Sequence, residues 1–169
     1  MFRKEELLLH SLHCFFDLST HQQTLLKIIE GKSKISLRLL DWFVTNYART
    51  HSTTIRQFSL SKNHQYCLIY LDYKAQLKAF SKKYFDPFCR RNRITFFFTD
   101  NSFIETTVGQ LNFFRWVIQS GCLQYLQKNL DEIEDAMNLY YKKNRTEKKQ
   151  TKKSQVNKHD NMKIILTFK

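Results

Sequence analysis

The chain has 169 residues and a formal charge of +13, with 42% apolar residues, 15 Phe, 8 Tyr and 2 Trp but only three Gly and one Pro. That length suits one compact domain plus a tail, and large apolar side chains, each worth roughly 1.5–3 kcal/mol when fully buried, can supply its core. So little Gly and Pro excludes Gly-rich phosphate loops, low-complexity linkers and a turn-dense β-sandwich.

Residues 4–18 read as an amphipathic helix with Leu8, Leu9, Leu12, Phe15 and Phe16 on one side. His10, His13, Cys14 and Asp17 fall on the other. Ser19-Thr20 opens a second short helix through Leu25, Leu26, Ile28 and Ile29, stopped near Gly31. Ser36 is the next cap, and only Arg38, Asp41 and Thr45 form a polar stripe on the helix that follows to Ala48. That helix should be mostly buried. The period then changes. Segments 53–60 and 65–71 are β-branched or aromatic and short, which suggests a hairpin across Ser61-Lys62-Asn63-His64. Asp72 is positioned to cap a helix running to about Tyr84, ended by Pro87, which biases Asp86 toward an extended conformation.

Residues 93–99 form a third strand and 103–108 a fourth, joined by Asp100-Asn101-Ser102. A helix over 110–120 carries one polar stripe, Asn112, Arg115 and Gln119, and breaks at Gly121. One further helix is expected from about Leu123 to Lys143, with an acidic patch at Asp131, Glu132, Glu134 and Asp135. From Lys142 to Lys158 eight basic residues face a single acid, Glu147, so +7 of the +13 sits in a segment with almost no apolar side chain. This reads as a flexible basic linker. The expected fold class is α+β: N-terminal helices, a small mainly antiparallel sheet and C-terminal helices in a domain over 1–141, the linker over 142–158, and a terminal strand over 159–169 that returns to the sheet.

The opening Met1-Phe2-Arg3-Lys4-Glu5-Glu6 puts carboxylates where a secretory signal needs its apolar region, and no uncharged stretch is long enough to span a membrane. An intracellular protein is expected. Cys14, Cys67, Cys89 and Cys122 contain no C-x-x-C pair and suit reduced thiols; two disulfides would allow three connectivities, and nothing selects one. Excess positive charge points to a polyanionic partner, either nucleic acid or an acidic protein surface.

The densest such feature in the domain is 82–93, where Lys82, Lys83, Arg90, Arg91 and Arg93 interleave with Tyr84, Phe85 and Phe88. Cations at such a turn can hold phosphates while a ring such as Phe88 stacks on an exposed base. The plainer reading is a solvated loop whose rings plug the core. Cys89 beside Arg90 and Arg91 has the cations of a lowered-pKa thiol, but no glycine-supported loop and no evident partner base. The spacing of His10, His13, Cys14 and Asp17 would suit metal ligands, yet no second element supplies more, and an exposed polar face explains it. Asp72, Asp86, Asp100 and Glu105, with the Asp72-Tyr73-Lys74 spacing, keep a metal-dependent nuclease as a third reading, against capping and turn roles. Arg38 with Asp41, and Arg115 between Phe114 and Trp116, suit intramolecular ion pairs; a recognition arginine is the sharper reading of Arg115.

Taken together, segments 35–47 (ISLRLLDWFVTNY), 73–83 (YKAQLKAFSKK), 85–91 (FDPFCRR) and 106–116 (TTVGQLNFFRW) resemble a small uncharacterised family of nucleocytoplasmic large DNA viruses, over about residues 35–140. The resemblance implies a virus-encoded protein acting in the infected cell, in cytoplasm, nucleus or viral factory, or carried in the virion. It carries over no catalytic residue. The leading expectation is a non-catalytic nucleic-acid-binding protein, without cofactor, using Lys82, Lys83, Phe88, Arg90, Arg91, Arg93 and Arg115 with the tail residues Lys148, Lys149, Lys152 and Lys153. The alternative is a minor capsid-associated structural protein that meets an acidic viral protein, with self-association through the 131–135 acidic patch and a basic tail.

Overall fold

The structure, a computed structural model, describes residues 4–57, 65–89, 92–99 and 102–159. It is α+β. Helix α1 (Lys4–Phe16) buries Leu8, Leu12 and Phe16, and α2 (Ser19–Ile29) buries Leu25 and Ile28, as the apolar spacing requires. The Ser36 hydroxyl accepts from the Leu39 N–H at 3.1 Å and starts α3 (Leu37–Trp42). The chain then widens into a π-helical turn over Phe43–Tyr47 before α4 (Ala48–Thr50). The Thr45 hydroxyl donates to the Asp41 carbonyl at 2.6 Å, a side-chain bond that competes with the regular helix ladder. The burial expected of this stretch is present: Leu39, Leu40, Trp42, Phe43, Val44 and Tyr47 all lie inside.

Strands β1 (Thr54–Gln57) and β2 (Gln65–Leu68) form the expected antiparallel hairpin, with Ile55 opposite Cys67. Helix α5 (Ile69–Phe85) follows β2 directly, so it begins three residues before Asp72. Asp72 is therefore not its cap; the Asp72 carboxylate accepts from the Trp116 indole N–H at 2.7 Å. Strands β3 (Arg93–Phe97) and β4 (Phe103–Thr107) make a second antiparallel ribbon with Phe96 opposite Ile104. The antiparallel pairing expected as one small sheet is thus divided between two separate two-stranded ribbons.

The centre of the molecule is α6 (Val108–Gln119), capped by the Thr107 hydroxyl and packed on α1, α5 and β4. Leu111, Phe113, Phe114 and Val117 are fully buried on it, and each ring or branched chain contributes roughly 1.5–3 kcal/mol of burial. Gly121, at φ +81°, turns the chain into α7 (Cys122–Lys128). The single helix expected from Leu123 to Lys143 is in fact two. The Asn129 side chain donates to the Tyr125 carbonyl at 2.8 Å and closes α7 locally, and α8 (Leu130–His159) starts afresh.

The backbone of α8 continues as helix through 142–158, the segment read as a linker. Lys, Arg, Gln and Glu are good helix formers and no Gly or Pro interrupts them. Asp131 and Glu132 at its first turn and lysines toward its end also match the helix dipole. The terminal strand expected over 159–169 lies, beyond His159, outside the described residues.

Candidate nucleic-acid interface

The turn between α5 and β3 is built by an interruption in α5. Tyr70, Tyr73, Lys74 and Leu77 share one helical face at spacings of three and four. At Ser81 the backbone leaves the helix, with φ +64° and ψ 167°. That region is essentially reserved for glycine and costs about 1–3 kcal/mol for another residue. The bend changes the helical phase, so Lys82 joins the face already formed by Tyr70, Tyr73, Lys74 and Leu77. Asp86 is extended (φ −83°, ψ 119°), as its position before Pro87 requires. Its carboxylate accepts from the Phe88 N–H at 2.9 Å and fixes the turn.

Helix α6 holds this turn from beneath. Gly109 lies so close that a Cβ there would meet the Lys83 carbonyl oxygen at 3.0 Å and that of Asp86 at 3.1 Å. Asn112 donates to the Tyr84 carbonyl at 2.8 Å, which explains one buried member of the polar stripe on α6.

Two hollows meet at the turn. The larger, about 450 Å³, is lined by Asp41 and Thr45, by Tyr70, Tyr73, Lys74 and Leu77 of α5, and by Lys82, Asp86 and Phe88. The smaller, about 190 Å³, lies between Phe88, Cys89, Arg93, Glu105 and the start of α6. Phe88 borders both and is 47% exposed. Burial first, and then the neighbouring Asp86 charge, raise the Asp41 carboxyl from 3.8 to about 6. Burial and the charges of Asp41 and Asp86 push the Tyr73 phenol up to about 12. Among the described residues no group donates a hydrogen bond to the Asp41 carboxylate.

Of the residues singled out from sequence, Lys82, Phe88 and Arg93 come together around these hollows. Lys83 turns the other way: its ammonium lies 3.4 Å from the Glu5 carboxylate and 4.7 Å from the Tyr84 ring centroid. Arg115 is also elsewhere, donating to Ser11 of α1 at 2.9 Å and to Asn112 at 2.6 Å, where partial burial lowers its pKa. Arg90 and Arg91 lie outside the described residues, as do the side chains of Lys148, Lys149, Lys152 and Lys153 on α8. Arg38 makes no ion pair with Asp41; its guanidinium sits 4.5 Å over the Tyr141 ring. The Asp72-Tyr73-Lys74 spacing is split, since Asp72 is bound to Trp116 while Tyr73 and Lys74 face the cleft.

His13 stacks on Phe96 at 4.2 Å, and among the described residues no three His, Cys, Asp or Glu side chains converge as metal ligands. Cys122 is buried beside Ser120 and pushed up to about 12 by that burial, so its thiol stays protonated. No described helix is long and apolar enough to cross a membrane. Sequence reasoning missed Asp41, Asp86, Tyr70, Tyr73 and Lys74 as one group. The Tyr70, Tyr73, Lys74 spacing was the available signal, but only the packing of the π-helical turn after α3 against α5 brings Asp41 to it.

The chain belongs to a family of unknown function, DUF7197, whose pattern it matches over residues 2–165. The family match and a mimivirus relative together agree with the giant-virus resemblance read over about residues 35–140. A particular relative is the uncharacterized protein L507 of Acanthamoeba polyphaga mimivirus, 42% identical over 139 residues, 78% of this chain. The match covers 52% of that relative, so this chain spans about half its length. No solved structure matches.

Proposed function

We propose that this protein binds single-stranded nucleic acid without catalysis, across the turn between α5 and β3. One observation carries the reading: the exposed Phe88 ring stands between two hollows whose rims hold cations, Lys74 and Lys82 on one side and Arg93 on the other. A base stacks on the ring while the flanking phosphates meet the cations. The lysines of α8 add sequence-independent, salt-sensitive attraction. A filter-binding series with a labelled oligo(dT) at rising salt tests this. Phe88→Ala is expected to weaken binding roughly 5- to 100-fold, the range for one base–aromatic stack. No binding at low salt, or an F88A affinity equal to that of the parent protein, overturns the reading.

A second observation supports the structural alternative. On the outer face of the β3–β4 ribbon, Phe97 and Phe103 are 58% and 60% exposed, with ring centroids 5.8 Å apart. Paired exposed rings suit contact with a protein. If that is their role, the protein is present in stoichiometric amounts in nuclease-treated virions, and Phe97→Ser with Phe103→Ser removes it from them.

A further inference from the structure

We propose that the 450 Å³ cleft beside Phe88 is a base pocket that selects guanine, its N1–H and N2 amine donating to the carboxylates of Asp41 and Asp86. This rests on the nucleic-acid reading and names the base that reading leaves open. The size suits a small-molecule site, for which roughly 300–1,000 Å³ is usual. Its chemistry is mixed in a specific way. Three aromatic residues, Tyr70, Tyr73 and Phe88, border it together with two carboxylates, which as ions offer acceptors only, and Lys74 and Lys82, which offer donors. An acidic pair alone would favour a cation, but here two lysines balance the charge and admit a phosphate-bearing ligand.

Among the bases only guanine presents two adjacent donors on its Watson–Crick edge, one for each of the two carboxylates. The neighbouring O6 is an acceptor, which a lysine ammonium can meet. Thymine offers a single N–H flanked by two carbonyls that the carboxylates repel. Cytosine and adenine offer one amine beside an acceptor nitrogen, so one carboxylate oxygen faces a lone pair.

The state of Asp41 agrees with this use. Its carboxylate is half-buried and has lost water, yet no described group donates to it, so the fold leaves open the acceptor capacity that a ligand would fill. Thr45, bordering the same wall, spends its hydroxyl on the Asp41 backbone carbonyl instead. The bend at Ser81 is what brings Lys82 to the rim. Strain retained where it serves a ligand is a recurring feature of binding sites.

A pH signature follows. The groups facing Asp41 are Asp86 and Lys82 from the turn and Tyr70, Tyr73 and Lys74 from α5. Tyr73, pushed up to about 12, stays protonated over the acid range. Asp41, at about 6, is the group that changes there. Guanine selection should therefore fade as pH falls through about 6.

The test is fluorescence anisotropy with the full chain and labelled 12-residue DNA strands: oligo(dT), the same strand with one central dG, and one with a central deoxyinosine, which lacks the N2 amine. At pH 7.5 the dG strand should bind roughly 5- to 100-fold tighter than oligo(dT), with inosine between them. At pH 5 that ratio should shrink toward one, and Asp41→Asn and Asp86→Asn should each collapse it at pH 7.5. Equal affinity for all three strands, with Phe88-dependent oligo(dT) binding intact, overturns the guanine pocket alone. A ratio that survives both substitutions does the same. Absence of binding to any strand overturns the nucleic-acid reading together with this one.

Discussion

At the scale of single residues, the partly buried Asp41 carboxylate lowers stability at neutral pH. Its folded pKa of about 6 lies above the ordinary 3.8, so the folded state binds a proton more tightly than the unfolded chain does. The stability this gives is present in full below about pH 4 and is lost as pH rises to about 6; above that, the ionised carboxylate is a constant penalty. Two pKa units correspond to about 3 kcal/mol. Because Asp41 is partly exposed and solvent screens it, about 1–2 kcal/mol is the better expectation. Asp41→Asn should raise stability at pH 7 by that amount and flatten the profile between pH 4 and 6, measured by urea unfolding across the series. A substitution that stabilises the fold while abolishing guanine selection would mark a residue kept for binding. In the sequence Asp41 paired naturally with Arg38, three positions earlier on the same helix. Arg38 instead lies over Tyr141, because α8 packs beside α3 and offers it a ring. No local pattern announces that choice.

At the scale of elements, the seam between α5 and α6 positions the turn that carries Phe88. Gly109 admits the backbone of residues 83–86 to within touching distance of α6, and Asn112 ties the Tyr84 carbonyl to the same helix. A Cβ at 109 would press on backbone oxygens, which cannot rotate away as a side chain does. Gly109→Ala should therefore cost about 1–3 kcal/mol in denaturant unfolding, as overpacking does elsewhere. It should also weaken oligo(dT) binding beyond any effect on folding, since the turn carrying Phe88 must lift. The element boundaries near Ser36, Pro87 and Gly121 were legible because caps, a proline and a glycine write them locally. The bend at Ser81 was not. Serine has no preference for that backbone region, so only the tertiary packing of residues 82–86 holds it there.

At the scale of the whole molecule, the charge divides into two parts with separate expected roles. Lys74, Lys82 and Arg93 surround the candidate site, whereas Lys148, Lys149, Lys152 and Lys153 ride on the far part of α8. Replacing these four lysines with glutamine keeps good helix formers in place. It should leave the thermal midpoint unchanged and should lower the salt slope of single-strand binding by up to about three, at about 0.7 for each phosphate left without its lysine. A slope that does not move would confine binding to the domain. The acidic start of α8 has an internal role as well, since the Tyr47 hydroxyl donates to the Glu132 carboxylate at 2.5 Å and joins α8 to the π-helical turn.

The sequence alone determined the α+β class, the buried faces of α1, α3 and α6, the hairpin at 54–68 and the basic character. These follow from periodicity, capping and composition, which act over a few residues. Tertiary structure alone decided that Lys83 and Arg115 face α1 while Lys82, Phe88 and Arg93 gather at the hollows. It also decided that Asp41 and Asp86, separated by 45 positions, share one cleft with Tyr70 and Tyr73. Such a site is made by helices packing at a fixed angle, with a strained backbone at Ser81 completing it. Neither the packing nor the strain has a signature within any single window of the chain.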